Sequence, residues 1–137
     1  MDNPLIFIVD RDSTRGNFLK YRLSTMNFSN IRVFSREEDC LYRLGKNELP
    51  DFIITDPGHI PDVALSFIRM VLQSNQAIKI ICFTSSDDQE VADQFLEAGA
   101  SDIILKKSNE DPGIDELVEN IKYLLKYNIM NRRFNTQ

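Results

Sequence analysis

Two acids, a hydroxyl group and a cation each stand at the end of a short apolar run in this chain: Asp10, Asp56, Thr84 and Lys106. The runs are rich in β-branched residues and have the length of strands buried on both faces, which is typical of a parallel sheet. In an open parallel sheet the carboxyl ends of all strands lie along one edge, where ligands bind. Carboxylates, a hydroxyl group and a lysine gathered at that edge would suit a phosphoryl group and a divalent cation.

The segments between these runs change from a strand period to a helical period. They predict the order βαβαβαβαβα, with a short second strand at 31–34. Alternating short strands and longer helices predict right-handed crossovers and a doubly wound α/β fold with helices on both faces of the sheet.

Helix starts are predicted where a side chain can accept hydrogen bonds from the first turn, or where proline can begin a helix. Gly99 is predicted to end the fourth helix, because glycine readily adopts the left-handed conformation found there. The predicted starts are Asp12 or Ser13, a capping box of Ser35 with Glu38, Pro61 with Asp62, a capping box of Ser86 with Gln89, and Asp111 before Pro112.

The bulk properties of the chain predict a single acidic domain. A length of 137 residues is enough for one independent core, with the domain over 1–127 and a polar tail or the start of a linker over 128–137. The net charge of −5 argues against nucleic-acid binding, because a phosphate backbone needs a basic face. No apolar stretch approaches the roughly 20 residues of a membrane span, so we expect no membrane association.

The first residues and the cysteines both predict a cytoplasmic protein. Met1 to Pro4 lack the basic and apolar regions of a signal peptide. Cys40 and Cys82 are then expected to be reduced thiols with a structural role, because neither belongs to a CxxC motif or a cluster of metal ligands.

The order and spacing of the strand-end residues resemble the receiver domain of bacterial two-component response regulators, over nearly all of the chain from Leu5 to Leu125. The resemblance implies a flavodoxin-like sheet of order 2-1-3-4-5. It implies that Asp56 accepts a phosphoryl group from a sensor histidine kinase, that Thr84 and Lys106 contact that group, and that the domain catalyses no more than its own phosphorylation. It also implies a Mg²⁺ ion held by Asp10, Asp56 and the backbone carbonyl of Gly58.

Arg11 is the most consequential departure from the family, which usually has a second acid at this position. The resemblance then implies a weakened Mg²⁺ site, with Asp12 as a further candidate ligand. Two placements of Arg11 stay open: in solvent, or among the carboxylates, where its guanidinium would replace the charge of the metal. Opposite unit charges at 4 Å attract by about 4 kcal/mol at an effective dielectric near 20, which is enough to compete with a weakly held ion.

Other departures affect the loops and the switch. Lys107 replaces a family proline, so a trans bond is expected after Lys106, and Ile103 replaces the aromatic residue that usually couples to the threonine. The loop over 107–113 is longer and more acidic than usual. His59, the only histidine, is interpreted as a solvated loop residue, with metal binding or assistance to hydrolysis as the functional alternative.

The resemblance implies partners as well as chemistry. A histidine kinase or phosphotransfer protein would donate the phosphoryl group. The surface of the fourth helix, fifth strand and fifth helix would carry contacts to an output domain or a protein partner, and a homodimer is a further possibility. Exposed residues expected on that surface are Gln94, Glu97, Glu119 and Lys122.

Two alternatives use the same residues differently. The first is a pseudo-receiver that binds proteins without phosphorylation, which the departures at Arg11, Ile103 and Lys107 favour. The second is a haloacid-dehalogenase-type phosphatase with Asp10 as nucleophile, because Asp10 to Thr14 fit its DxDxT motif. The phosphatase would need a further acidic motif after Lys106, and it would leave Asp56 without a role.

Overall fold

The strands and helices alternate along the chain, as the sequence predicts. The computed structural model describes residues 3–58, 61–107 and 113–135, and side chains as far as 127. The elements are β1 (Ile6–Val9), α1 (Ser13–Ser24), β2 (Ile31–Phe34), α2 (Glu37–Gly45), β3 (Phe52–Thr55), α3 (Pro61–Ser74), β4 (Lys79–Thr84), α4 (Gln89–Ala98), β5 (Asp102–Leu105) and α5 (Ile114–Asn135).

The strands form one parallel sheet of order β2-β1-β3-β4-β5, as the family resemblance implies. Two apolar cores cover its faces. One includes Leu19 and Leu23 of α1 and Leu117 of α5, and the other includes Ile68 of α3 and Phe95 of α4. The central strands are buried on both sides, which explains why their sequences are continuous apolar runs.

Helix α1 approaches the sheet closely at Gly16, which is buried. A Cβ built on Gly16 would lie 2.8 Å from Val33 Cγ1 and 3.7 Å from Asp10 Cβ. A larger residue at this position would therefore push the start of α1 away from β1 and β2.

Three of the predicted helix boundaries are confirmed. Asp12 caps α1, accepting hydrogen bonds from the backbone N–H groups of Thr14 and Arg15. Pro61 begins α3. Gly99 ends α4 in the left-handed conformation, with φ of 118°.

Both predicted capping boxes are wrong. Helix α2 begins after Arg36 without a side-chain cap. Three acids in its first turn stabilise the helix start instead, because they lie near the positive end of the helix dipole. Helix α4 is capped by Asp88, whose carboxylate accepts hydrogen bonds from the N–H groups of Glu90 and Val91. Ser86 lies in the preceding turn, because its own N–H donates to Thr84 Oγ1.

The last helix differs in extent from the sequence expectation. Its predicted start at Asp111 and Pro112 lies outside the described residues, and the described helix begins at Ile114. It continues through Asn135, into the segment for which the sequence predicts a tail or linker. The domain boundary at 127 therefore stays a prediction.

Candidate functional site

The four strand-end residues lie at one edge of the sheet. Strands β1 and β3 are neighbours with Val9 opposite Thr55, so Asp10 and Asp56 follow them side by side. The N–H of Asp56 donates to the Val9 carbonyl at 3.2 Å, which ties the two strand ends together. On the far side, the N–H of Lys106 donates to the Thr84 carbonyl at 2.7 Å.

Lys106 contacts Asp56 directly. Its Nζ lies 2.7 Å from Asp56 Oδ2, and both side chains are mostly buried. The ammonium group also lies 5.1 Å from the centre of the Phe83 ring, which supports it from β4 through a cation–π contact. Asp56 Oδ1 accepts a hydrogen bond of 2.9 Å from the N–H of Gly58. The sequence predicts that Lys106 contacts a phosphoryl group on Asp56, and the structure shows Lys106 in contact with the Asp56 carboxylate itself.

Thr84 is buried at the end of β4 and is 4% exposed. Its hydroxyl oxygen accepts the N–H of Ser86 at 3.1 Å. Beside it lies a cavity of about 210 Å³ between the ends of β3 and β4 and helix α4, whose lining includes Phe95 and Ile103. Thr84 thus lines this cavity together with residues of α4 and β5.

Arg15, which the sequence analysis overlooked, lies among the carboxylates. Its Nη2 is 3.0 Å from Asp10 Oδ1 and its Nε is 3.2 Å from Asp10 Oδ2, a bidentate contact. The guanidinium also lies 3.9 Å from carboxylate oxygens of both Asp56 and Asp12. The hydrogen bonds to Asp10 raise the pKa of Arg15, so the side chain carries its charge throughout the physiological range.

Arg11 lies away from Asp10 and Asp56 and contacts Glu37 instead. Its Nε and Nη2 donate to the two carboxylate oxygens of Glu37, at 3.2 and 3.3 Å, and its side chain is 53% exposed. These hydrogen bonds raise the pKa of Arg11. Of the two placements left open, the structure shows an exposed side chain directed to the start of α2. The position among the carboxylates belongs to Arg15 instead.

Asp12 is occupied by its capping role. Oδ1 accepts the N–H groups of Thr14 and Arg15 at 2.9 and 3.2 Å. The N–H of Asp12 donates to Asp10 Oδ1 at 2.8 Å. Asp12 therefore connects Asp10 to the first turn of α1. This connection positions the backbone of Arg15 relative to Asp10.

The arrangement does not fit a divalent cation. Mg²⁺ requires oxygen ligands in near-octahedral geometry, so a cationic donor already bound to the same oxygens competes with it. Both oxygens of Asp10 and both of Asp56 already accept hydrogen bonds, and Arg15 covers Asp10 from the solvent side. No group of three or more His, Cys, Asp or Glu side chains is arranged to hold a metal within the described ranges. The positive charge beside these carboxylates comes from a guanidinium and an ammonium group.

The remaining predicted features are placed as follows. The backbone from 106 to 107 is trans, as expected for a lysine in place of proline. The output-surface residues Gln94, Glu97, Glu119 and Lys122 are exposed. His59 and residues 108–112 lie outside the described residues. Among the helices described, none is both long and apolar enough to cross a membrane.

A second and larger cavity, of about 530 Å³, adjoins Asp10 and Asp56 on the side of α1. Its polar lining includes Arg15, Ser85, Lys106 and Lys107, and its apolar lining includes Phe18. Solvent or a small donor molecule can therefore approach Asp56 from this side.

Comparison with known proteins identifies the family and the fold. The family model described as the response regulator receiver domain matches residues 6–121. A CheY-like receiver domain from Methanospirillum hungatei JF-1 is similar in structure, with a TM-score of 0.79 and 22% identity over 94% of this chain and 98% of that one. A response regulator from Thermotoga maritima has a TM-score of 0.76 and 22% identity, over 90% and 98% of the two chains.

A third solved structure carries a modification of interest. It is a response regulator from Burkholderia pseudomallei with a phosphorylated aspartic acid, a calcium ion and citrate. Its TM-score is 0.68 at 17% identity, over 95% of this chain and 83% of that one. At these identities the likeness to solved structures shows the fold. A search of curated proteins found no match.

Proposed function

The chain belongs to the response regulator receiver domain family, and from that membership we propose that Asp56 accepts a phosphoryl group from a histidine kinase or a phosphotransfer protein. Receiver domains are signalling modules rather than enzymes. The observation that carries the proposal is the contact of 2.7 Å between Lys106 Nζ and Asp56 Oδ2 at the carboxyl edge of the sheet. A buried carboxylate with its own cation is suited to holding a group of higher negative charge.

The transfer is a substitution at phosphorus. A carboxylate oxygen of Asp56 forms a bond to phosphorus while the bond between phosphorus and the donor breaks, and the donor atom leaves with the electron pair. Lys106 would pair with the phosphoryl oxygens, and Thr84 would donate its hydroxyl to one of them after releasing the N–H of Ser86. Positioning and charge neutralisation account for most catalysis of this reaction.

The consequence for signalling would be altered contacts with a protein partner. Thr84 adjoins the cavity of about 210 Å³ next to α4, so withdrawal of its hydroxyl toward a phosphoryl group would change the packing there. The surface of α4, β5 and α5 would carry the contact, to an output domain, another protein or a second copy of this chain, in the cytoplasm. The phosphorylated aspartic acid of the Burkholderia protein supports this use of the fold.

Mass spectrometry of the intact protein tests the proposal. Acetyl phosphate should add one phosphoryl mass to the wild type, measured both with and without Mg²⁺. Asp56→Asn should abolish the gain. Asp39→Asn is the matched control, because Asp39 is exposed on α2 and the same change of charge there should leave the gain intact. A wild type that gains no mass under either condition would refute the proposal.

A pseudo-receiver that binds proteins without phosphorylation is the second candidate. The hydrogen bonds that both acids already accept from Arg15, Lys106 and the backbone favour it, because a phosphoryl group or a metal ion would have to compete with these donors. The phosphatase alternative is disfavoured, because a nucleophilic Asp10 would first have to lose its bidentate contact to Arg15. Label that survives in Asp56→Asn but is lost in Asp10→Asn would support the phosphatase.

A further inference from the structure

We propose that Arg15 is the resident cation of this site, occupying the place of a divalent ion at Asp10 and Asp56 and binding the phosphoryl group on Asp56 in its stead. The second part of this inference rests on the proposed function of Asp56.

The geometry at Asp10 gives the first argument. Asp10 is the most buried acid of the site, with a side chain 7% exposed, and both of its oxygens accept hydrogen bonds from Arg15. A carboxylate so deeply buried needs a counter-charge. The paired contacts of a guanidinium supply one in a fixed orientation, which a mobile surface lysine would not. Without such a counter-charge this acid would be ready to take up a metal ion.

The distance to Asp56 gives the second argument. Arg15 Nη2 lies 3.9 Å from Asp56 Oδ2, which is beyond hydrogen-bonding range. An acceptor oxygen of a phosphoryl group bonded to Asp56 can lie between them while Arg15 keeps its contacts to Asp10. Lys106 contacts the same carboxylate from the β5 side at 2.7 Å. The two cations therefore flank the position of the phosphoryl group.

The helix start gives the third argument. Asp12 Oδ1 accepts the backbone N–H of Arg15 at 3.2 Å, and Asp12 Oδ2 lies 3.9 Å from the guanidinium. The close approach of α1 at Gly16 brings the adjacent Arg15 to the edge of the sheet. Arg11, although nearer to Asp10 in sequence, is held by Glu37. Local contacts therefore place Arg15, in the first turn of α1, at the site and Arg11, in the preceding loop, at the surface.

A metal titration of four full-length proteins tests the first part. Wild type, Arg15→Gln, Arg15→Lys and Arg11→Gln are titrated with MgCl₂ by calorimetry and with MnCl₂ by electron paramagnetic resonance, at fixed ionic strength. Arg15→Gln should bind both ions at least about tenfold more tightly than wild type. Arg11→Gln makes the same change of charge four residues earlier in the chain and should stay within about twofold of wild type. Arg15→Lys retains the cation and should still bind weakly.

Labelling in the absence of metal tests the second part. With acetyl phosphate and EDTA, wild type and Arg11→Gln should gain one phosphoryl mass on Asp56, with acetate released, whereas Arg15→Gln should require Mg²⁺. A wild type labelled only with Mg²⁺ would overturn the metal-independent role. Equal Mg²⁺ affinity of wild type and Arg15→Gln would overturn the inference as a whole.

The two proposals fail in different ways. If Asp56 accepts no phosphoryl group in any protein under any condition, the proposed function fails, and the metal titration alone decides whether Arg15 is the resident cation. Thermal unfolding of each variant, compared with wild type, checks that the fold is retained. The side chain of Arg15 is 55% exposed, so its replacement by glutamine leaves the apolar cores intact.

Discussion

Lys106 reaches Asp56 across an intervening strand. The two residues follow β5 and β3, which are separated in the sheet by β4, yet Lys106 Nζ lies 2.7 Å from Asp56 Oδ2. The Phe83 ring of β4 lies 5.1 Å from the ammonium group, which passes over the intervening strand. A change of charge at Asp56 should therefore act directly on Lys106, the first residue after β5.

Lys106→Gln should slow phosphoryl incorporation from acetyl phosphate at least about tenfold, because removing one cation or donor from a site of developing negative charge has effects of this size or larger. Lys107→Gln, one residue later in the same loop, is the matched control and should retain the wild-type rate. The rates are measured as intact mass against time. Equal rates for the two variants would show that the ammonium group does not contact the reacting phosphoryl group.

Beryllofluoride, which mimics a phosphoryl group, should change amide hydrogen exchange between residues 84 and 98. The expected cause is movement of the Thr84 hydroxyl away from the N–H of Ser86 and repacking of the cavity next to α4. Exchange is measured by mass spectrometry of proteolytic fragments, with Asp56→Asn as control. Bound beryllofluoride, verified by fluorine NMR, without a change in this segment would show that signalling does not use α4.

Gly99→Ala should lower the free energy of unfolding by about 1 to 3 kcal/mol, because a residue with a side chain is strained at a φ of 118°. The added Cβ would also meet Leu72 Cδ1 of α3. Gly45→Ala is the matched control. A Cβ built on Gly45 has no atom of the described residues within 4 Å, apart from its chain neighbours and the backbone of its own helix. Urea unfolding of both variants measures the difference, and equal midpoints would contradict the prediction.

The two buried thiols should cause the free energy of unfolding to fall as the pH rises above 9. Burial raises the pKa of both Cys40 and Cys82 from the ordinary value of 9.0 to about 12, with smaller contributions from Glu37 and Asp56, respectively. Between pH 9 and 12 the unfolded chain therefore binds fewer protons than the folded one. The free energy of unfolding should fall by at most about 1.4 kcal/mol per pH unit for each thiol, and the thiol contribution should be fully present below pH 9.

The control for the thiol prediction is a comparison of slopes. Other groups also titrate in alkali, so urea unfolding of wild type and of Cys40→Ala with Cys82→Ala is measured at pH 8, 9 and 10. The double variant loses packing at every pH, but its free energy of unfolding should fall less steeply with pH. Identical slopes would mean that the thiols ionise as readily in the folded protein as in the unfolded one.

Much of the fold follows from the sequence because the signals are local and repeated. A strand buried on both faces needs a continuous apolar run, and helices between such strands need an apolar face, so the element order can be read directly. Helix starts are less predictable, since several neighbouring side chains can accept the same hydrogen bonds. Asp88 caps α4 in preference to Ser86 because Ser86 takes part in the turn after Thr84.

The site was predictable where it depends on strand ends and unpredictable where it depends on a helix. Asp10, Asp56, Thr84 and Lys106 lie together because parallel strands end at one edge. Their proposed roles remain predictions. Arg15 reaches the same edge from the first turn of α1, and its position depends on the cap at Asp12. The sequence predicts that cap correctly. Because Arg15 follows the cap by three residues, the same pattern indicates Arg15, as well as Arg11, as a side chain near the carboxylates.

The absence of a side chain at Gly16 links the packing of α1 to the charged site. Because a Cβ there would lie 2.8 Å from Val33 Cγ1 and 3.7 Å from Asp10 Cβ, the first turns of α1 lie close to the ends of β1 and β2. A larger residue at this position should therefore displace the start of α1 and weaken the contact between Arg15 and Asp10. A change in an apolar contact would then alter the electrostatics of the carboxylates while leaving every charged residue in place.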